Sequence, residues 1–375
     1  MEIDRRTFLA LVGATLVPST AFGGSPPPQS GEGLAAEGEP LFLGARMAQG
    51  AYQVAVIDGR GHDRLVLPVA ARGHSFAIDV PRRRAVAFAR APGRHAVAFD
   101  VDGKGEPTPL VTAPGRHFFG HGIFTPDGRL MLASESDYEA GEGVTGVYDA
   151  SGGFRRVGEF RTAGIGPHEI ALMPDGRTVC VANGGILTHP DYDRLKLNLD
   201  TMQPNLTYLD AVSGEVVEQV RLAPELHQLS IRHLAIDAAG AVWFGCQYQG
   251  ERVDRPPLVG RHRRGRQPEL FAGPAETLRA MDNYVGSMAV DASGQIVATS
   301  SPQGGLVVFW DAATGKYLGE QTLADGCGVA PLASGHVLAT SGRGAIEDLT
   351  PADAEKIVAP GGPLPAWDNH LRRVG

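Results

Sequence analysis

Seven positions recur along this chain at intervals of 47, 47, 65, 54, 40 and 43 residues: His74, His121, His168, His233, Ser287, Cys327 and His370. Five of the seven are histidine. The middle five each open a short apolar run that ends in a tight turn, as in His121-GIF-TPDG, His168-EIAL-MPDG, His233-LAI-DAAG, Ser287-MAV-DASG and Cys327-GVA-PLASG. A period of about 40–50 residues with several strands per unit is the mark of propeller blades. The constraint is severe, because one such unit cannot bury its own faces and must stack on its neighbours. Innermost propeller strands line a central channel. A histidine recurring at the start of those strands would gather several imidazoles around one axis.

The units divide strand by strand. In the second, HGIF, RLMLASES, VTGVYDA and FRRVGEF read as strands A to D, separated by PDG, a polar loop and SGG. Apolar runs of about 4–8 residues bounded by such turns are hairpin signals, and helical periodicity is scarce. The sixth unit is the weakest, since TPADAEKIV could form a short helix in place of strand D. Residues 41–70 supply three strands with no A strand, and Asn369-HLRRV supplies an A strand with nothing after it. Together they make one blade from both termini and pair edges that would otherwise lie open. The expected fold class is all-β: a seven-bladed β-propeller occupying 41–375 as a single domain, with His370 brought beside His74.

Asp4-Arg5-Arg6-Thr7-Phe8-Leu9 has the pattern of a twin-arginine export signal, so 1–21 reads as a signal peptide and the periplasm as the destination. Residues 22–40 are rich in Pro, Gly and Ser and read as a flexible leader. No apolar stretch reaches the roughly 18 residues that a membrane-spanning helix needs. A net charge of −8 without a long basic run argues against nucleic acid. The one dense basic cluster, Arg261-His262-Arg263-Arg264, reads as an exposed hairpin turn. Three cysteines leave at least one unpaired within the chain, and Cys180 and Cys246 read as buried thiols in apolar strands. Neither CxxC nor CxxCH occurs, so no zinc knuckle and no covalent haem is expected.

On a propeller, D-to-A and B-to-C loops share one face. Here the A-to-B turns are minimal and the long polar insertions are B-to-C: Ser134–Tyr138, Asn183–Asn205 and Gln247–Gly250. Histidines and polar loops should therefore surround one funnel. His74, His121, His168, His233 and His370, with Glu169, are the candidate metal ligands. Neutral imidazole suits iron, copper or zinc. Histidines at strand starts can equally cap the strands and solvate a wet channel, and both readings stand at this point. A second constellation lies in the longest loop: His189, Asp191, Asn198 and Asp200, with Asn183 at its start. It offers cation ligands, but its Asp and Asn are also ordinary turn formers. A third, His227, Gln228 and Arg232, precedes His233; an arginine there favours an anionic ligand or else satisfies loop carbonyls. His117, Gln247, Asn283, Tyr284 and Asn369 complete the candidate ligand-binding set.

The stretches RHFFGHGIFTPDG, GIGPHEIALMPDG, NGGILTHPDYDRLKLNLDTMQPNLTYLD, LHQLSIRHLAID, FGCQYQG, MDNYVGS and DNHL resemble a family of exported bacterial proteins numbered 1513 among the domains of unknown function. The resemblance runs from about residue 41 to the end. Genes of that family often lie near those for imelysin-type periplasmic iron-uptake proteins and haem-containing oxidoreductases. The resemblance thus implies periplasmic iron-uptake or redox proteins as partners. The expected function is a periplasmic propeller that binds a metal ion or small anionic ligand in a histidine-rich funnel, as an accessory in iron or other metal handling. A protein-binding scaffold, or a lactonase-like hydrolase or lyase using His168-Glu169 or His233 as acid and base, are the alternatives. No GxSxG nucleophile motif occurs.

Overall fold

The computed structural model describes residues 39–192, 195–357 and 364–375. The expected signal peptide and all of the leader but Glu39 and Pro40 lie outside the described residues. The rest forms seven four-stranded antiparallel sheets. Blade 1 is Gly73–Asp79, Arg84–Ala89, His95–Asp100 and Thr108–Val111, and blade 2 is Arg116–Phe124, Leu130–Asp137, Glu142–Asp149 and Arg155–Arg161. Blade 3 is Pro167–Leu172, Thr178–Asn183, Asn205–Asp210 and Val216–Arg221, and blade 4 is Leu229–Ile236, Val242–Tyr248, Val259–His262 and Glu269–Phe271. Blade 5 is Ser287–Val290, Ile296–Ser301, Leu306–Asp311 and Tyr317–Thr322, and blade 6 is Gly326–Ala333, His336–Ser341, Ile346–Leu349 and Ala354–Ile357. Blade 7 takes strand A from the C-terminus, Ala366–Val374, and strands B to D from Leu41–Ala48, Ala51–Asp58 and Asp63–Pro68.

Burial grades outward across each blade. The B strand of blade 3, TVCVAN, is buried along its whole length, whereas the outer strand VVEQVR exposes alternate residues or more. That is why the B strands read as continuous apolar runs and the D strands as weaker alternations. The core lies between blades. Leu43, Val54 and Val56 of blade 7 pack on Phe76, Ala85 and Phe99 of blade 1. On the other side Phe42, Ile57, Trp367 and Leu371 of blade 7 pack on Ala330, Leu338 and Ile346 of blade 6. The closing strand registers Leu41 with Val374, Gly44 with Leu371 and Arg46 with Trp367. A-to-B turns are tightened by an aspartate: Asp237 Oδ1 accepts from the N–H groups of Ala239 and Ala241, both at 2.9 Å. In the blade 3 turn Gly176 takes φ +68°, a conformation that side chains with a Cβ rarely adopt.

Three expectations need correcting. The TPADAEKIV segment is not helical: Ala354–Ile357 pairs antiparallel with Ile346–Leu349, setting Lys356 opposite Glu347. Ser134 to Asp137 are not loop residues but the end of a B strand, where buried Glu135 takes the Tyr148 hydroxyl at 2.5 Å and Arg156 at 2.9 Å. The basic cluster is only half exposed. Arg261 and His262 end a C strand and are buried. The Arg261 guanidinium lies over Trp243 and Phe271, pairs with Glu269, and donates to the Ala312 and Ala313 carbonyls. A planar guanidinium between aromatic faces, with its donors filled, tolerates burial. Among the described residues no helix is long and apolar enough to cross a membrane.

Candidate metal centre and its funnel

The histidines open apolar runs, but three of them do not open strands. The innermost strands of blades 2, 4 and 7 begin earlier, at Arg116, Leu229 and Ala366. The histidine positions lie at breaks in the ladder, a feature that Cys327 of blade 6 shares. In blade 1, Gly73 pairs with Ala89 and Phe76 with Ala87, so His74 and Ser75 share one partner position. In blade 2 the register jumps from Phe118 to Gly122, across His121. In blade 3 it jumps from Pro167 to Ile170, across His168 and Glu169. Arg232 is the extra residue before His233, and Asp368, Asn369 and His370 fall in the break opposite Ala45. Ser287, by contrast, sits in regular register. A bulge re-aims side chains and ends pairing locally. All five histidine-bearing strands use one at or beside the imidazole.

Blades 7, 1, 2, 3 and 4 are consecutive around the ring, so the five histidines form one continuous arc of the channel wall. Ring centroids lie 4.6 Å apart for His74–His370, 4.7 Å for His121–His370, 4.8 Å for His121–His168 and 4.9 Å for His168–His233. All five are buried. Two sets of three, His74–His121–His168 and His121–His233–His370, each bring ligand atoms within 4.8 Å of one another. Among the described residues, Gly120 makes room for this packing. It sits at φ +99°, and a Cβ there would lie 2.5 Å from His74 Cδ2.

Two buried carboxylates stand behind the imidazoles. Glu169 Oε2 accepts the Leu234 N–H at 3.2 Å and lies 3.4 Å from His233 Nδ1 and 3.9 Å from His121 Nδ1. Its other oxygen pairs with Arg372. Asp368 pairs with Arg72 and approaches His74 Nδ1 at 3.7 Å, too far for a hydrogen bond. His168 Nδ1 lies 3.2 Å from the Arg232 carbonyl. A carbonyl only accepts, so Nδ1 carries the proton and Nε2 keeps its lone pair, the tautomer a metal ligand needs.

Burial pushes the proton affinity of all five imidazoles down: His74 to about 4 against the pull of Asp368, His121, His168 and His370 well below the ordinary 6.5, and His233 less far because Glu169 opposes it. They are neutral at pH 7. Burial by itself would raise Glu169 and Asp368. Arg372 and the neighbouring histidines hold Glu169 below the usual carboxylate range, and His74, Arg72 and Arg90 do the same for Asp368. The fit to a metal rests on the ring nitrogens. His74 Nδ1, His121 Nε2 and both nitrogens of His233 and His370 are buried with no hydrogen-bond partner.

A pocket of roughly 640 Å³, open mouth included, is walled by His74, His168 and His233 together with Arg90, Lys196 and Arg232. Gln247, Tyr284 and Asn369 line it too. Asn369 Nδ2 donates to the Tyr284 hydroxyl at 3.2 Å, and Gln247 Nε2 to the Val285 carbonyl at 3.2 Å.

The other candidates lie elsewhere. His117 is buried beside the Phe118 carbonyl and Thr188, with its proton affinity pushed down to about 4 by burial. Asn183 spends its amide on Thr162, Asn205 and Thr207. Asn198 bonds the Leu187 N–H and the Gly185 carbonyl and so pins its own loop. His189 packs edge-on to Tyr138, while Asp191, Asp200 and His227 are exposed. Gln228 reaches the Leu199 carbonyl, and Asn283 donates to the Arg252 and Asp254 carbonyls. In the long loop His189 Nδ1 lies 3.8 Å from Asp191, and among the described residues His189, Asp191 and Asp200 form no group of three placed to hold a metal ion. Sequence reasoning missed Asp368, Arg372, Arg90 and Lys196. Of these Asp368 and Arg372 carried a signal, each lying two residues from His370 in the closing strand.

Among solved structures, the chain is similar to hydrazine synthase of Kuenenia stuttgartiensis, at 14% identity and a TM-score of 0.59, covering 80% of this chain and 90% of that one. It is also similar to the β-propeller domain of Cps50 (Swd1) of Myceliophteria thermophila, at 13% identity and a TM-score of 0.54, covering 78% and 88%. At such identities the likeness shows the propeller fold alone. No curated protein matches the sequence. The model of the family described as "Protein of unknown function (DUF1513)" matches residues 67–374, and the chain belongs to that family.

Proposed function

We propose that the five-histidine cluster binds a transition metal ion, iron, copper or zinc, and that the protein serves as a periplasmic accessory in metal handling. The observation that carries this is the set of buried, neutral ring nitrogens without partners. Leaving a buried polar atom unsatisfied costs about 1–3 kcal/mol. Six such atoms on four rings are a standing cost, and one cation, taking one nitrogen from each ring, would offset up to four of them. Imidazole without thiolate suits these metals. His121 is the shared member of both sets of three, and His74, His168, His233 and His370 complete them. Glu169 and Asp368 would orient the rings from behind and supply compensating negative charge. The twin-arginine pattern at Arg5-Arg6 supports the periplasmic assignment.

The test is elemental analysis of protein purified from the periplasm without an affinity tag, beside a His121→Ala/His168→Ala/His233→Ala variant. Near-stoichiometric metal in the wild type, lost from a folded variant, is the expected result. Wild-type protein that stays metal-free after reconstitution with each of the three metals overturns the reading.

A further inference from the structure

The pocket that opens onto the histidines has a one-sided charge. Arg90, Lys196 and Arg232 line it, and among the described residues no carboxylate does. The three cations come from separate parts of the ring: Arg90 follows strand B of blade 1, Lys196 belongs to the long insertion of blade 3, and Arg232 is the bulge residue of blade 4. Arg90 also lies 3.9 Å from Asp368, and Lys196 bonds Gln249 at 2.5 Å. Both side chains are therefore positioned as well as charged. The pocket is open to solvent at its mouth. Phe119, Ile186 and Pro92 give it an apolar wall, and the amides of Gln247 and Asn369 add polar groups.

We infer that this funnel binds a small polycarboxylate, its carboxylates shared among Arg90, Lys196 and Arg232 with one of them also directed at the histidine cluster. Cations spread over three blades match anionic groups spread along a carbon skeleton. A single phosphate would gather them to one centre. Guanidinium groups pair with carboxylates bidentately, and the apolar wall accepts the methylene carbons. The inference deepens the metal reading and rests on it for one contact only, the carboxylate that would reach the cation. The cationic wall stands independently of whether the histidines hold metal.

The experiment is isothermal titration of the full protein with citrate, in metal-free and metal-loaded forms, with inorganic phosphate as the single-centre comparison. Citrate should bind one to one in both forms, and at least tenfold more tightly when metal is present. Lys196→Gln and Arg232→Gln should each weaken citrate at least tenfold without changing metal content. Arg155→Gln, an exposed arginine of blade 2 away from the funnel, should leave binding unchanged. Metal retained but no citrate bound overturns the inference and leaves the metal reading intact. Citrate bound by wild type and weakened in both funnel variants, by a protein that holds no metal, supports the anion site and removes the metal reading. Phosphate binding as tightly as citrate, or citrate binding indifferent to both substitutions, overturns the polycarboxylate assignment.

Discussion

Glu169 and Arg372 pair across the channel from blades that are not neighbours, blade 3 and blade 7, and stand 203 positions apart in the sequence. Glu169 is also the carboxylate nearest His233 and His121. One ion pair therefore ties the closing strand to the opposite arc and fixes the charge behind the imidazoles. Arg372→Met should leave a buried carboxylate without its counter-ion, a loss of about 3–5 kcal/mol. Urea denaturation reads it. Adding Glu169→Gln should restore most of the loss, and a double variant no more stable than Arg372→Met would remove the pair from the account.

Gly120→Ala takes away no ligand, yet its Cβ would meet the His74 ring at 2.5 Å from a backbone at φ +99°. The variant should fold with reduced stability, by about 1–3 kcal/mol, and bind metal at least tenfold more weakly. Competition against a chromophoric chelator measures the affinity. Wild-type affinity in this variant would mean that His74 is dispensable.

The metal-free protein should lose stability as pH falls from about 6.5 toward 4. In the unfolded chain each cluster histidine takes up a proton near its ordinary 6.5, whereas in the fold burial holds His74 down to about 4 and His121 and His370 well below 6.5. Across that window the unfolded state binds more protons, so acid favours unfolding, and above 7 the effect vanishes. His74 alone contributes about 3 kcal/mol. Further acidification protonates Glu169 and Asp368 and removes the stability their low proton affinities supply. Thermal melts from pH 8 to pH 4.5 test this, and a flat profile would contradict the buried neutral cluster.

Metal affinity should be nearly independent of pH between about 6 and 8, because the ligands are already deprotonated. An exposed histidine site would begin to weaken near 6.5. Chelator competition at a series of pH values separates the two.

Native protein should be inert to thiol reagents. Cys180, Cys246 and Cys327 are buried free thiols, and burial pushes Cys180 and Cys327 up to about 12. Absorbance from an aromatic disulfide reagent should stay near zero until denaturant is added.

The ring was legible because blades repeat: DG and SG turns mark the A-to-B hairpins of blades 2, 3, 5 and 6, and the orphan strands at the two termini announce the closing blade. The histidine arc was legible because its members recur at the same place in the repeat. The bulges were not, since nothing in His168-Glu169 or Arg232-His233 tells a strand to skip a partner. The Glu169–Arg372 and Asp368–Arg72 pairs were hidden because they join segments that meet only when the circle closes. The long insertion misled for a local reason. Asn183 and Asn198 have the side chains of ligands, but here they satisfy the backbone and side chains of their own neighbourhood. The reading of Arg261 as solvated failed because Trp243 and Phe271 lie far from it in sequence or across the hairpin.

The last strand of the chain supplies His370 and Arg372, and it docks on Leu41–Ala48 at the other end of the sequence. Blades 1 to 4 can assemble from nearby segments, but the fifth imidazole arrives only when the first and last segments find each other. Loop closure over so long a separation is the slow, entropically costly event in forming such a ring. The full donor set is thus a record of completed folding. A chain arrested before that step would carry four histidines and a Glu169 without its arginine, and its grip on a cation would differ measurably from that of the finished molecule.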